Sequence, residues 1–240
     1  EINLRHGDPL ELADQVFLFK RLIREAALRN GCYATFMAKP MEDQPGSAMH
    51  IHQSVVEAAT GRSIFSTAEG APTQEFDHFI GGQQAYLRAA CCLMAPYVNS
   101  YRRLVPHLTA PINLDWGRDN RTTGLRVPIS EPDARRVENR VVGADANPYL
   151  AIAATLACGY LGMIEERPAR PEVTTDSYDR PRELPYGLLD AIAEFKRAPK
   201  LQEVLGTGFS ALYMAVKERE YDEFMRVISP WEREHLLLNV

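Results

Sequence analysis

The hydrophobic positions follow two different rhythms along the chain. Between residues 8 and 30, Leu12, Val16, Phe19, Ile23 and Ala26 recur three and four apart, the period of an α-helix with one buried stripe. The flanks agree with that reading. Asp8 can cap, Pro9 suits the first turn, Glu11 completes a capping box and Gly31 supplies the stop. Similar patterning predicts helices over 74–96, from the Asn147–Pro148 cap to about 166, and over 188–198, 208–227 and 231–238. Elsewhere the rhythm shortens toward alternation. TFMAKP, the segment holding MHIH, and then INLDW, TGLRV and RVENRV read as strands separated by polar turns. The proline- and charge-rich ERPARPEVTTDSYDRPRELP reads as a surface excursion. The fold class expected is α+β, with a non-local sheet early and helices late.

Composition narrows the partners. With 240 residues, 45% hydrophobic and 25% charged, the chain is an ordinary globular one, long enough for one large domain or two small ones. A net charge of -5 gives no electrostatic case for nucleic acid or an anionic membrane. No apolar run reaches the roughly 18 residues that a membrane span requires. The chain opens on Glu1, so the absence of a leader carries no weight. Cys32, Cys91, Cys92 and Cys158 form no CxxC pair or zinc spacing, which favours free thiols in a reducing cytoplasm.

Against that acidic background, cations concentrate in one region. Arg102, Arg103, Arg121, Arg126, Arg136 and Arg140 crowd residues 102–140, with Arg118 and Arg135 among them. Guanidinium forks match carboxylate and phosphate oxygens, so the cluster points to an anion. On a strand, Arg136, Glu138 and Arg140 share a face; this is either a solvated charged surface or a carboxylate between anion-binding arginines. His50 and His52, at i and i+2 in SAMHIHQS, project together in the same way. A histidine pair with a distant glutamate suits a hard divalent ion better than zinc, which usually takes three or four nitrogen or sulfur ligands. The Glu218–Glu220 and Glu232–Glu234 pairs lie on predicted helices, where i and i+2 do not face together. No GxSxG, Walker or GxGxxG motif is present.

ATFMAKPMEDQPGSAMHIHQS, NSYRRLVP, NRTTGLRVP, ARRVENR and ANPYLAIAATLACG, in that order, resemble the glutamine synthetase family from Glu1 to about Glu166. The resemblance implies an antiparallel-rich curved sheet, a partial barrel, packed with helices. It also implies ATP-dependent amide formation through γ-glutamyl phosphate, with two Mg²⁺ or Mn²⁺ ions, in a ring-shaped homo-oligomer. Carried over by motif, Glu1, His50 and Glu138 are metal ligands. Gly46, Arg103 and Arg140 are glutamate contacts; His52, Ser54 and Arg136 are nucleotide contacts; Arg121 and Arg126 are catalytic arginines along the phosphate path.

Two departures matter. Family members that use ammonia carry a glutamate where HLTAP has Thr109. A hydroxyl is no carboxylate base near pH 7, so an organic amine, a polyamine or small monoamine, is the expected acceptor. The family's N-terminal β-grasp domain and early Glu-x-Glu metal strand have no counterpart in these residues. The expectation is therefore a catalytic domain over 1–240 that is inactive alone. The alternatives are glutamine synthetase proper, a non-catalytic structural or regulatory relative, and a zinc hydrolase using His50 and His52.

Overall fold

The computed structural model describes all 240 residues. Helix α1, Pro9–Arg29, starts where Asp8 Oδ1 accepts from the amides of Leu10 and Glu11. It ends in a Schellman turn: Gly31, at φ 68°, donates to Leu28 O, and Cys32 donates to Ala27 O. The expected stripe is only partly covered. Leu12, Val16, Phe19 and Ile23 are half-buried, Ala26 is exposed, and Ala13 alone is fully buried. Leu10, Phe17, Leu18, Leu22 and Leu28 face outward.

TFMAKP is not a strand. It forms no ladder, bends at Ala38 and is pinned by Asn99, which accepts from Lys39 N and donates to Lys39 O, each at 2.9 Å. Strand β1, Ile51–Gln53, follows, then α2, Gln74–Met94, and the short α3, Ser100–Arg103. Strands β2, Trp116–Arg118, β3, Leu125–Val127, and β4, Val137–Asn139, complete a sheet of order β1-β4-β3-β2. The sheet is small, open and mixed, with antiparallel pairs in the majority as expected. The β1–β4 and β3–β4 pairs are antiparallel, but β2 and β3 run parallel. The intervening loop bends at Asp119, which has φ 48°, and is braced by the Asn120 side chain, which accepts from Thr122 N.

Helix α4, Pro148–Ile164, begins where Asn147 Oδ1 accepts from Tyr149 N and Leu150 N. It lies along α2 at close range. A Cβ on Gly82 would stand 2.4 Å from Cys158 O and from Gly162 Cα, so glycines set the approach of the two backbones. Helices α5, Leu188–Lys196, α6, Pro199–Leu205, α7, Thr207–Phe224, and α8, Pro230–Leu236, close the chain. The last is capped by a Ser229–Glu232 capping box. One core unites α2, α4, the inner sheet face and α5. No helix is long and apolar enough to cross a membrane.

The segment expected as a surface excursion is instead a strap over the sheet edge. Val173 and Ser177 are buried, and Val173 N donates to Trp116 O. Asn113 and Ser177 bond twice, at 2.7 and 2.8 Å, and Arg180 Nε meets the buried Asp115 at 2.7 Å. Polar residues of INLDW pair with polar residues of the strap, a long-range match that local composition does not reveal.

Candidate active site

The site is built by strand register. His52 stands opposite Glu138 across β1–β4, and Arg126 stands opposite Glu138 across β3–β4. Residues directly opposite share a face, so His52, Glu138 and Arg126 form one row. The adjoining row, Ile51, Asn139 and Leu125, turns toward the helices, where Asn139 Nδ2 donates to Thr155 Oγ1 of α4 at 2.9 Å. The helices thus fix the sheet from behind, and the charged row lies on its opposite face.

Glu138 is the centre of the row, with 2% of its side chain exposed. Its Oε1 accepts from Arg140 at 2.7 Å and from His50 Nδ1 at 3.1 Å; its Oε2 accepts from Arg126 at 2.8 Å. Burial pushes its pKa up, but hydrogen bonds from His50 and Arg126 and the charges of Arg140 and His50 outweigh it and hold the carboxyl well below its usual range. A carboxylate this buried costs several kcal/mol unless it is paired, and here three side chains pair it. Arg126 also bonds Asp119. His52 accepts at Nδ1 from Arg136 Nε at 3.2 Å. Burial lowers the His52 pKa, with Glu138 opposing and Arg136 assisting, so the ring is neutral at pH 7, as an acceptor must be.

The row therefore gathers His50, His52, Arg126, Arg136, Glu138 and Arg140. Arg121 is exposed on the loop before β3, and Ser54 is exposed after β1 without a side-chain hydrogen bond. Gly46 lies against Arg103: a Cβ there would stand 2.6 Å from Arg103 Cγ and from Ala38 O. Arg103 itself is buried and spends its guanidinium on Val141 O and Arg140 O, both at 2.8 Å. Burial brings its pKa down to about 10, Asp145 opposing. Arg103 thus anchors the chain that carries Arg140, and the expectation that it grips a substrate carboxylate finds no support in this arrangement.

Glu1 is exposed at the chain start, and no three His, Cys, Asp or Glu side chains come together; the expected ligand role of Glu1 gains nothing from the fold. His50 and Glu138 alone form a donor pair. His50 Nε2 is buried without a partner. One nitrogen and one carboxylate donor fit part of the sphere of a hard divalent ion that also takes phosphate oxygens or water.

Beside the row lies a loop that sequence reasoning noticed only at Thr109. His107 has φ 63° and Thr109 φ 65°, left-handed conformations that cost non-glycine residues about 1–3 kcal/mol each. Thr109 is exposed, and its carbonyl faces Arg140 at 3.4 Å. From the strap, Tyr178 donates to Ala110 O at 3.1 Å, and its ring meets His107 edge to face, with centroids 5.0 Å apart. A cleft of about 660 Å³ between α1 and the 144–148 segment contains none of these residues.

Comparison with known proteins agrees with the motifs. The glutamine synthetase catalytic domain model matches residues 1–236. The γ-glutamylputrescine synthetase PuuA of Escherichia coli (strain K12) is 40% identical over all of this chain and 51% of its own length. The glutamine synthetase of Methanosarcina mazei is 36% identical over 97% of this chain and 54% of its own. Among solved structures, the GmaS/ADP complex superimposes with a TM-score of 0.88 at 32% identity, covering 98% of this chain and 56% of its own. The chain thus spans about half the length of the curated relatives it matches. A match that follows the sequence nearly from end to end, at such identities, is kinship rather than a shared shape: the chain belongs to the glutamine synthetase family, within its catalytic domain.

Proposed function

We propose that the protein is an ATP-dependent ligase joining the γ-carboxylate of glutamate to an organic amine. The observation that carries the reading is the buried Glu138, held by His50, Arg126 and Arg140 beside Arg136. Phosphoryl transfer to a carboxylate requires positioning and positive charge around the phosphate oxygens. Arg121 and Arg126 would line that path. His52, Ser54 and Arg136 would meet the nucleotide, and Gly46 and Arg140 the glutamate. The binding of ADP by the related GmaS supports a nucleotide site. His50 and Glu138 would hold a Mg²⁺ or Mn²⁺ ion, which when bound neutralises phosphate charge. The amine then displaces phosphate from the acyl phosphate and loses its proton.

Thr109 favours an organic acceptor. A hydroxyl neither pairs with a small ammonium ion nor takes its proton near pH 7, whereas a longer amine has an alkyl chain by which to be held. The activity is proposed for the whole protein, as a ring-shaped homo-oligomer in the cytoplasm. Outward Phe17, Leu22, Trp231 and Leu237, which these 240 residues leave uncovered, support assembly; four free cysteines support the compartment.

Phosphate release by the full-length protein tests this, with ATP, glutamate and a panel of putrescine, methylamine and ammonia. Turnover with an organic amine at least roughly tenfold above ammonia is expected, and Thr109→Glu should move the preference toward ammonia. A preference for ammonia in the unmodified protein would leave glutamine synthetase proper. No release with any acceptor would leave a non-catalytic relative.

A further inference from the structure

We propose that Tyr178 is a positioning residue for the acceptor: from the strap, it holds the 107–110 loop in the shape that presents Thr109 beside Arg140. The inference rests on the reading that Thr109 faces the acceptor amine, and goes beyond it by naming what sets the loop.

The two segments differ in how firmly they are held. Around Tyr178 the strap is rigid. Ser177 is buried, its amide donates to Thr122 Oγ1 at 2.8 Å, and it bonds twice to Asn113. On the other side, Arg180 is tied to Asp115 at 2.7 Å. The 107–110 loop has the opposite character. His107 and Thr109 are exposed and left-handed, and such conformations persist only where surroundings over-determine them. Beside the burial of Ala110 in the core, three polar or ring contacts do so: Tyr178 Oη donating to Ala110 O at 3.1 Å, the Tyr178–His107 ring pair, and Arg140 donating to Thr109 O at 3.4 Å. Tyr178 makes two of the three. Burial raises its pKa, with Arg140 and Arg103 opposing, so the phenol keeps the proton it donates. A rigid strap thus sets a strained loop through one side chain, and the loop's conformation decides whether an amine meets Thr109 and Arg140 together.

The test uses the full-length protein with its preferred acceptor. Tyr178→Phe removes the hydroxyl and keeps the ring; Tyr178→Leu removes both; His107→Phe preserves the ring pair. Expected is an acceptor KM raised about tenfold in Tyr178→Phe and further in Tyr178→Leu, with little change in His107→Phe. The KM for ATP should stay within about twofold in all three, and hydrogen exchange over 104–110 should quicken in both Tyr178 variants. An unchanged acceptor KM, or an equal loss for acceptor and ATP, overturns the proposal. The acceptor preference of the unmodified protein is read separately. If that protein prefers ammonia, the amine reading falls, while the KM split with ammonia still decides the role of Tyr178.

Discussion

His50 and Glu138 meet across the seam of β1 and β4, Nδ1 to Oε1 at 3.1 Å, although they lie far apart in sequence. The same carboxylate answers Arg126 and Arg140. One residue thus organises two guanidiniums and an imidazole, and its removal has two separable consequences.

The first is stability. Glu138→Ala leaves Arg140 and Arg126 without their shared partner in a buried place. Breaking such a pair costs about 3–5 kcal/mol, so a fall of that size in unfolding free energy is expected by urea titration. His50→Ala removes one neighbour of the carboxylate and leaves both arginine pairs intact. Its expected cost is smaller, about 1 kcal/mol, while it removes a donor from the proposed Mn²⁺ site. Weaker Mn²⁺ binding by the full-length protein, measured by electron paramagnetic resonance, checks that part.

The second is pH dependence. Glu138 has a folded pKa depressed below its ordinary value of 4.5. Such a group contributes stability that is fully present above the unfolded pKa and lost as pH falls through the folded one. The urea midpoint should therefore be steady near neutrality and decline below about pH 4.5. Glu138→Gln should lower the midpoint at pH 7 and flatten the acid slope. Glu165 and Glu183, also depressed, remain in both proteins, so the difference between the two curves reports Glu138.

Packing behind the site is equally specific. In Gly82→Ala, the new methyl would meet backbone atoms of α4 at 2.4 Å, and backbone cannot swing aside as a side chain does. Overpacking of this kind costs about 1–3 kcal/mol. Loss of about 2 kcal/mol corresponds to a Tm lower by about 4–8 °C in a chain of this size, read by calorimetry. An unchanged Tm would mean that the helices separate freely.

The strap depends on Asn113. Asn113→Ala removes both bonds to Ser177 and leaves Ser177 O, in a buried residue, without that donor. A cost of about 1–3 kcal/mol is expected, together with earlier proteolytic nicking between 170 and 185. Mapping the first cleavage site by mass spectrometry distinguishes local release from global unfolding.

Local signals placed most of the helices and much of the sheet. Asp8, Gly31 and Asn147 marked helix ends because capping is settled within a few residues, and each acts as its type predicts. MHIH, TGLRV and RVENRV each overlap a strand, whereas INLDW contributes only Trp116, and the shared face of Arg136, Glu138 and Arg140 followed from a period of two. The strand expected over TFMAKP failed because a ladder needs a neighbour, and there Asn99 occupies the backbone of Lys39 instead.

What the sequence by itself determined is a set of periods, caps and motifs: enough to name the family and to nominate every residue of the charged row. Tertiary structure alone decided the register that sets His52 and Arg126 on either side of Glu138, the parallel β2–β3 pair, the spending of Arg103 on backbone carbonyls, and the docking of Tyr178 onto the 107–110 loop. The reason is physical. Periodicity and capping are fixed by torsions and bonds within a few residues, whereas register and side-chain partnership depend on which distant groups compete for the same buried donor or acceptor.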